Sequence, residues 1–262
     1  MRRFVALALA LIPFSALGGF PKNDLHLQDC LHCEDISMTE EQFKAIIKSV
    51  ADVYEPIVAK YNASLVIEQG WTESTVNAYA TQQGNKWVVK MFGGLARRKE
   101  VTHDGFALVV CHEIGHHLGG YPFTSTWAAN EGQSDYFATQ ACAKKLWGSD
   151  APRIQAAGQS LANLLSALGG STVVPSPDTK DPTVVTKTRN SHPAAQCRLD
   201  TYLAGMNCSA SFPDDIIPGK GAFGGKNTLE AQQAAFKYSC VEGAAARPAC
   251  WFAPLKDGLR RK

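Results

Sequence analysis

The sequence lacks a hydrophobic run long enough to cross a bilayer, an excess of charge of either sign, an internal repeat and any low-complexity tract. Each absence excludes a class of protein. Beyond the first 18 residues the longest uninterrupted apolar stretch is residues 106–111 (FALVVC), against the ~20 that a membrane helix needs, so no stable membrane insertion is expected. Lys and Arg number 26 against 24 Asp and Glu, and Arg2 and Arg3 fall in a segment that reads as a leader. Without those two the signs balance. Nucleic acids and anionic membranes are held largely by surplus positive charge, so the expected partner is a protein or peptide substrate and not a nucleic acid. A composition of 45% hydrophobic and 19% charged residues excludes disorder and collagen and suffices for a buried core.

What the chain does contain begins with Arg2 and Arg3, followed by the apolar run 4–14 (FVALALALIPF) and by Ser15, Ala16, Leu17 and Gly18. This is the pattern of a secretory signal peptide over residues 1–18. Residues 19–262 then form a single mature domain, secreted or periplasmic, with a core at 37–206 and a C-terminal extension at 207–262. All eight cysteines, Cys30, Cys33, Cys111, Cys142, Cys197, Cys208, Cys240 and Cys250, lie in that part. In an oxidising compartment most of them are expected to be paired, in a pattern that spacing alone cannot choose. Cys30 and Cys33 could instead join His26 and His32 in a second zinc site, although a disulfide is the preferred reading.

Ser37 or Thr39 can cap a helix, with Glu40 and Gln42 at capping-box offsets and Phe43, Ile46, Ile47, Val50, Val53, Tyr54 and Val58 at helical spacing. Pro56 should kink it or end its first part. Residues 64–68, 75–81 and 86–92 are short and rich in β-branched and aromatic side chains, with a turn at 83–85. They read as a small, mostly antiparallel sheet. Helices are expected at 104–118, ending at Gly119 and Gly120, at about 128–147, and from Ser149 to Gly169. Residues 170–190 have no clear period and read as a long loop, of a kind that is usually functional. Further helical segments fall near 194–204 and 229–239. The fold class is α+β.

Residues 112–117 read His-Glu-Ile-Gly-His-His inside the helix expected at 104–118. A spacing of four turns the second imidazole about 40° from the first and raises it about 6 Å, so His112 and His116 share a face and can chelate one ion. His117 lies about 100° further round and faces away from that ion, as packing or surface. Two histidines leave zinc short of ligands. Glu131 and Asp135, four apart on the next helix, can supply a ligand and an acceptor for the free ring N–H of a ligating His.

Residues 76–117, Glu131 with Asp135, and His192-Pro193 followed by Arg198 resemble the gluzincin metallopeptidases of the HtpX and CAAX prenyl protease type. Those enzymes show an Asn-Ala hairpin, a Gly-Leu turn, HExxH, a Glu-x-x-x-Asp helix and a His-Pro pair with a following Arg, in this order. The resemblance covers roughly residues 40–205; it lacks the family's membrane helices, and so is to a soluble, secreted or periplasmic branch. It implies a zincin-like fold, a small sheet with an active-site helix bundle. It also implies one Zn2+ per chain, held by His112, His116 and Glu131, with Glu113 as general base. Asp135 and Arg198 support the ligands, and His192 is the donor to the oxyanion. The chemistry agrees, because zinc lowers the pKa of its water to about 7 and an adjacent carboxylate can take the proton. The expected activity is a zinc metalloendopeptidase. A peptide is expected to bind as an added strand along 86–92 or 77–80, through Asn77, Ala78, Val88 and Val89.

The alternative is a catalytically silent zinc-site protein acting as an envelope chaperone or binding module, against which the intact Glu113 argues. A further alternative is an enzyme held latent by the 170–190 loop or by the N-terminal cysteine segment.

Overall fold

The computed structural model describes residues 37–256; the expected leader, His26, Cys30, His32 and Cys33 lie outside them. Thr39 opens helix α1, Glu40–Ala59, with both halves of a capping box: its hydroxyl accepts from the Gln42 amide, and its own amide donates to Gln42 Oε1 at 2.8 Å. Phe43, Ile47, Val50, Tyr54, Ile57 and Val58 form the buried stripe. Pro56 neither ends nor divides this helix. It falls in the last turn, where little helix remains to be lost with its missing donor.

Strands β1 (Ser64–Gly70), β2 (Ala78–Gln83) and β3 (Lys86–Phe92) form one sheet in the order β1-β3-β2. β2 and β3 are an antiparallel hairpin turning at Gly84, whose φ of +62° suits glycine. β1 pairs with β3 in parallel, from Ser64 opposite Lys86 to Gly70 opposite Phe92. The sheet is therefore mixed, and the mostly antiparallel sheet expected from sequence is corrected. The reason is visible in β3: Trp87, Val88 and Val89 are consecutive buried residues, as a central strand requires, whereas β1 is largely exposed or half-buried in alternation. A second correction follows. β3 has neighbours on both sides, so Val88 and Val89 have no free edge to offer a peptide. The edges are β1 and β2.

α2 (Gly93–Ala96) leads to α3 (His103–Leu118), capped by the Thr102 hydroxyl, which accepts from Gly105 N. α3 packs against α1, the sheet, α4 and α6. α4 (Glu131–Phe137) runs through a π turn, Ala138–Cys142, into α5 (Ala143–Trp147), and α6 (Ala151–Leu168) follows. Past a long loop come α7 (Ala195–Asn207) and α8 (Leu229–Phe236). One hydrophobic cluster runs from Met38 through Phe106, Leu108, Val110 and Ile114 of α3 to Cys250, Trp251 and Phe252. The residues beyond 206 thus contribute to the same core as the rest.

Six cysteines are paired, Cys111 with Cys142, Cys197 with Cys250 and Cys208 with Cys240, and none is free among the described residues. The first bond fastens α3 to the π turn one residue before His112. No helix of the described residues is long and apolar enough to cross a membrane.

Candidate metal centre

The HExxH segment occupies the middle and end of α3, where His112, Glu113 and Ile114 are buried. Gly115 has a structural task there. A β-carbon at this position would lie 3.0 Å from both the α-carbon and the carbonyl oxygen of Ser134, so the missing side chain lets α4 approach α3 at backbone distance. That approach brings Glu131 and Asp135 to the two histidines.

Each histidine has one ring nitrogen already committed. His112 Nδ1 donates to Asp135 Oδ1 at 2.7 Å, and His116 Nδ1 donates to the Ala129 carbonyl at 2.9 Å with Ser134 Oγ 3.0 Å away. Both Nε2 atoms therefore face Glu131. His112 Nε2 is 3.2 Å from Glu131 Oε2, and His116 Nε2 is 3.8 Å from Oε1 and 4.0 Å from Glu113 Oε2. Asp135 is fully buried and is fixed in turn by Arg198, whose Nε and Nη2 donate at 2.7 and 2.6 Å, and by the Tyr202 hydroxyl at 2.9 Å. This is the outer layer that orients a metal-binding imidazole.

His192 arrives from the loop between α6 and α7. Its Nε2 is 2.9 Å from Glu131 Oε2, and His112, Glu131 and His192 bring donor atoms within 4.8 Å of one another. The reach is explained by a ribbon. Val185 N donates to the Ala249 carbonyl and Arg189 N to that of Trp251, both at 2.9 Å, while Thr188 Oγ1 exchanges hydrogen bonds with Ala253. Asn130 joins this ribbon to α4: its Nδ2 donates to the Arg189 carbonyl at 2.8 Å while its Oδ1 caps α4 by accepting from Gln133 N. Trp251 seats against Gly132, where any β-carbon would strike the indole ring. The disulfide Cys197–Cys250 closes the arrangement at the start of α7.

The chain matches no family model. No curated protein or solved structure is significantly similar to it.

Electrostatics favour a cation at this place. Burial pulls His112 down, but the carboxylates of Asp135 and Glu131 outweigh it and raise the group to about 10. Burial would raise Glu131, yet the imidazoles of His112 and His192 hold it well below the usual carboxylate range. The negative field that keeps a proton on His112 also favours a divalent ion, which would displace that proton on binding. Burial pulls His116 down to about 4, leaving it neutral and able to ligate. Glu131 Oε2 is buried and has no hydrogen-bond partner among the described residues despite its two close nitrogens. Nitrogen and oxygen donors gathered at these distances suit zinc or a similar transition ion. Asp181, Cys197 and Cys250 also cluster, but both sulfurs are spent in a disulfide.

Glu113 is buried, its Oε2 has no partner, and burial raises it to about 7 although His112 opposes the shift. It opens with His112, His192, Arg198 and Tyr202 onto a cleft of about 540 Å³ that includes open solvent. Val76, Asn77 and Ala78 form one wall, and Leu161, Leu164, Leu165 and Leu168 of α6 another. Asn77 and Ala78 are thus brought to the site, whereas Val88 and Val89 are not. His117 points away, stacked between Trp87 and Trp127, donating from Nε2 to the Val88 carbonyl and accepting at Nδ1 from Gln82.

Sequence reasoning missed Asn130, Tyr202 and the 249–253 side of the ribbon. Tyr202 was within reach, because it follows Arg198 by one helical turn. The ribbon had no local signal.

Proposed function

We propose that the protein is a metal-dependent, zinc-type endopeptidase on a zincin-like fold, working at the cleft between β2 and α6. The observation that carries this reading is the convergence of two imidazole Nε2 atoms, each with its Nδ1 tied off, on the carboxylate of Glu131 beside a buried Glu113. His112, His116 and Glu131 would hold the ion, with His192 close enough to join them or to serve the reaction. When bound, a zinc-type ion supplies a Lewis acid and lowers the pKa of a coordinated water.

The residues account for the rest. Glu113 Oε2 takes a proton from the attacking water as its oxygen adds to the peptide carbonyl, and returns it to the departing amine as the C–N bond breaks. Burial raises this carboxyl above its ordinary value, which favours its holding the proton between the two transfers. His192 Nε2 donates to the oxyanion from the loop side. Arg198 and Tyr202 hold Asp135, and through it the ring of His112. An extended substrate pairs with the free edge of β2 near Asn77 and Ala78, and the leucines of α6 favour an apolar side chain in the cleft. The signal-like start and three disulfides support an extracytoplasmic location.

The test is metal content together with cleavage of a panel of denatured proteins by the wild type and Glu113→Gln. One equivalent of zinc in both proteins and cleavage only by the wild type is expected. Zinc without cleavage in either favours the silent binding protein, and absence of zinc in the wild type overturns both readings.

A further inference from the structure

A second site lies around Arg247, away from the HExxH segment. The residue is 8% exposed, yet no carboxylate of the described residues acts on it. The guanidinium carbon is 4.9 Å from the centre of the Phe252 ring, 5.6 Å from Tyr136 and 5.7 Å from Phe236. One nitrogen, Nη2, donates to Ser239 Oγ at 3.0 Å, while Nε is buried without a partner. Aromatic faces stabilise the charge but accept none of the in-plane N–H bonds well. A buried cation whose Nε–H has no partner is costly unless an anion meets its charge.

Arg247 lines a cleft of about 540 Å³, a volume that includes open solvent, whose other walls are Phe236, Val241, Phe252 and Pro254 with Cys240 and two alanines. No acidic side chain lines it, and Val241 at its rim is 53% exposed. We propose that this cleft binds a carboxylate carried on an apolar body, the acid group taken by the Arg247 fork and the apolar part by the aromatic and proline walls. Two sources share that chemistry: a fatty acid, and the C-terminus of a peptide ending in an apolar residue.

The experiment is calorimetric titration of the full chain with octanoate, octanol, N-acetyl-leucine and N-acetyl-leucine amide. Saturable binding of a carboxylate, with its neutral counterpart weaker by about tenfold or more, is expected. Tighter octanoate assigns the cleft to fatty acids, and tighter N-acetyl-leucine to peptide ends. Arg247→Met should abolish the preference for the acid, and Arg247→Lys should weaken it by removing the fork. His116→Ala should retain it, which separates this site from the metal centre. No saturable binding of either acid, equal binding of acid and neutral analogue, or unchanged binding in a folded Arg247→Met protein overturns the proposal. If neither Arg247 variant folds, the acid-to-neutral comparison on the wild type and His116→Ala decides.

Discussion

His112 Nδ1 lies 2.7 Å from Asp135 Oδ1, and this one contact decides which nitrogen of the ring is left for an ion. Asp135 has no exposure and accepts from three groups, His112, Arg198 and Tyr202. Its own carboxyl is pushed up by burial and pulled below its ordinary value more strongly by Arg198 and His112. It is therefore an anion on α4 that links α3 to α7.

Asp135→Asn should leave Arg198 buried without its counter-charge. Breaking such a pair costs about 3–5 kcal/mol, and loss of the orienting carboxylate lowers metal affinity by about 10–100-fold. Tyr202→Phe removes one hydrogen bond and should cost about 1 kcal/mol with a smaller effect on the metal. Urea unfolding and zinc titration of both variants check this; equal effects would mean that the charge is not what matters.

The helices and the first layer of this site were legible because they rest on local pattern. The four-residue spacing of His112 and His116, and of Glu131 and Asp135, is a property of single helices, and Thr39 with Gln42 is a local cap. Pairing across the sheet was not legible. The position of β1 depends on where the 71–77 connection lands, and only the unbroken burial of Trp87, Val88 and Val89 hinted at a central strand. The ribbon joins residues 185–189 to 249–253, about 65 positions apart, through main-chain atoms that any side chain could supply. Such contacts leave no trace in residue type, apart from the two cysteines that close them.

Gly115→Ala sets two effects against each other. Alanine gains about 1 kcal/mol in helix propensity, but its β-carbon would meet the backbone of Ser134 at 3.0 Å, which no rotamer change relieves. Overpacking of this kind costs about 1–3 kcal/mol. The packing effect should win, moving α4 outward and weakening zinc binding by about tenfold or more, since ligand position is what the approach secures. A variant more stable than the wild type with unchanged zinc affinity would remove Gly115 from this role.

Replacing Cys197 and Cys250 together by serine should differ from the same change at Cys208 and Cys240. Each loss should cost about 2–4 kcal/mol of stability. Only the first pair borders the ribbon that carries His192, so only its loss should lower kcat with zinc content kept. Equal turnover in the two double variants would show that the ribbon holds His192 without the disulfide.

His116 and His192 compete for the place beside Glu131, and their removal separates ligand from catalytic donor. His116 Nε2 is 3.8 Å from Glu131 Oε1, and its Nδ1 is held by Ala129 within the same helix–loop unit. His192 Nε2 is nearer, 2.9 Å from Oε2, but its side chain is 55% exposed and stands on a loop. A rigid, mostly buried imidazole loses little freedom on binding an ion, whereas an exposed one is better placed to meet charge that develops on a substrate. His116→Ala should therefore lose zinc. His192→Ala should keep it and lower kcat by about two to three orders of magnitude with KM little changed, as removal of an oxyanion donor does. Arg198→Ala should lower activity through loss of geometry and also reduce stability, because it leaves Asp135 as a buried, unpaired anion. Loss of zinc in His192→Ala would make it a ligand and require a different role for His116. Unchanged kcat would reduce the His-Pro pair to a turn.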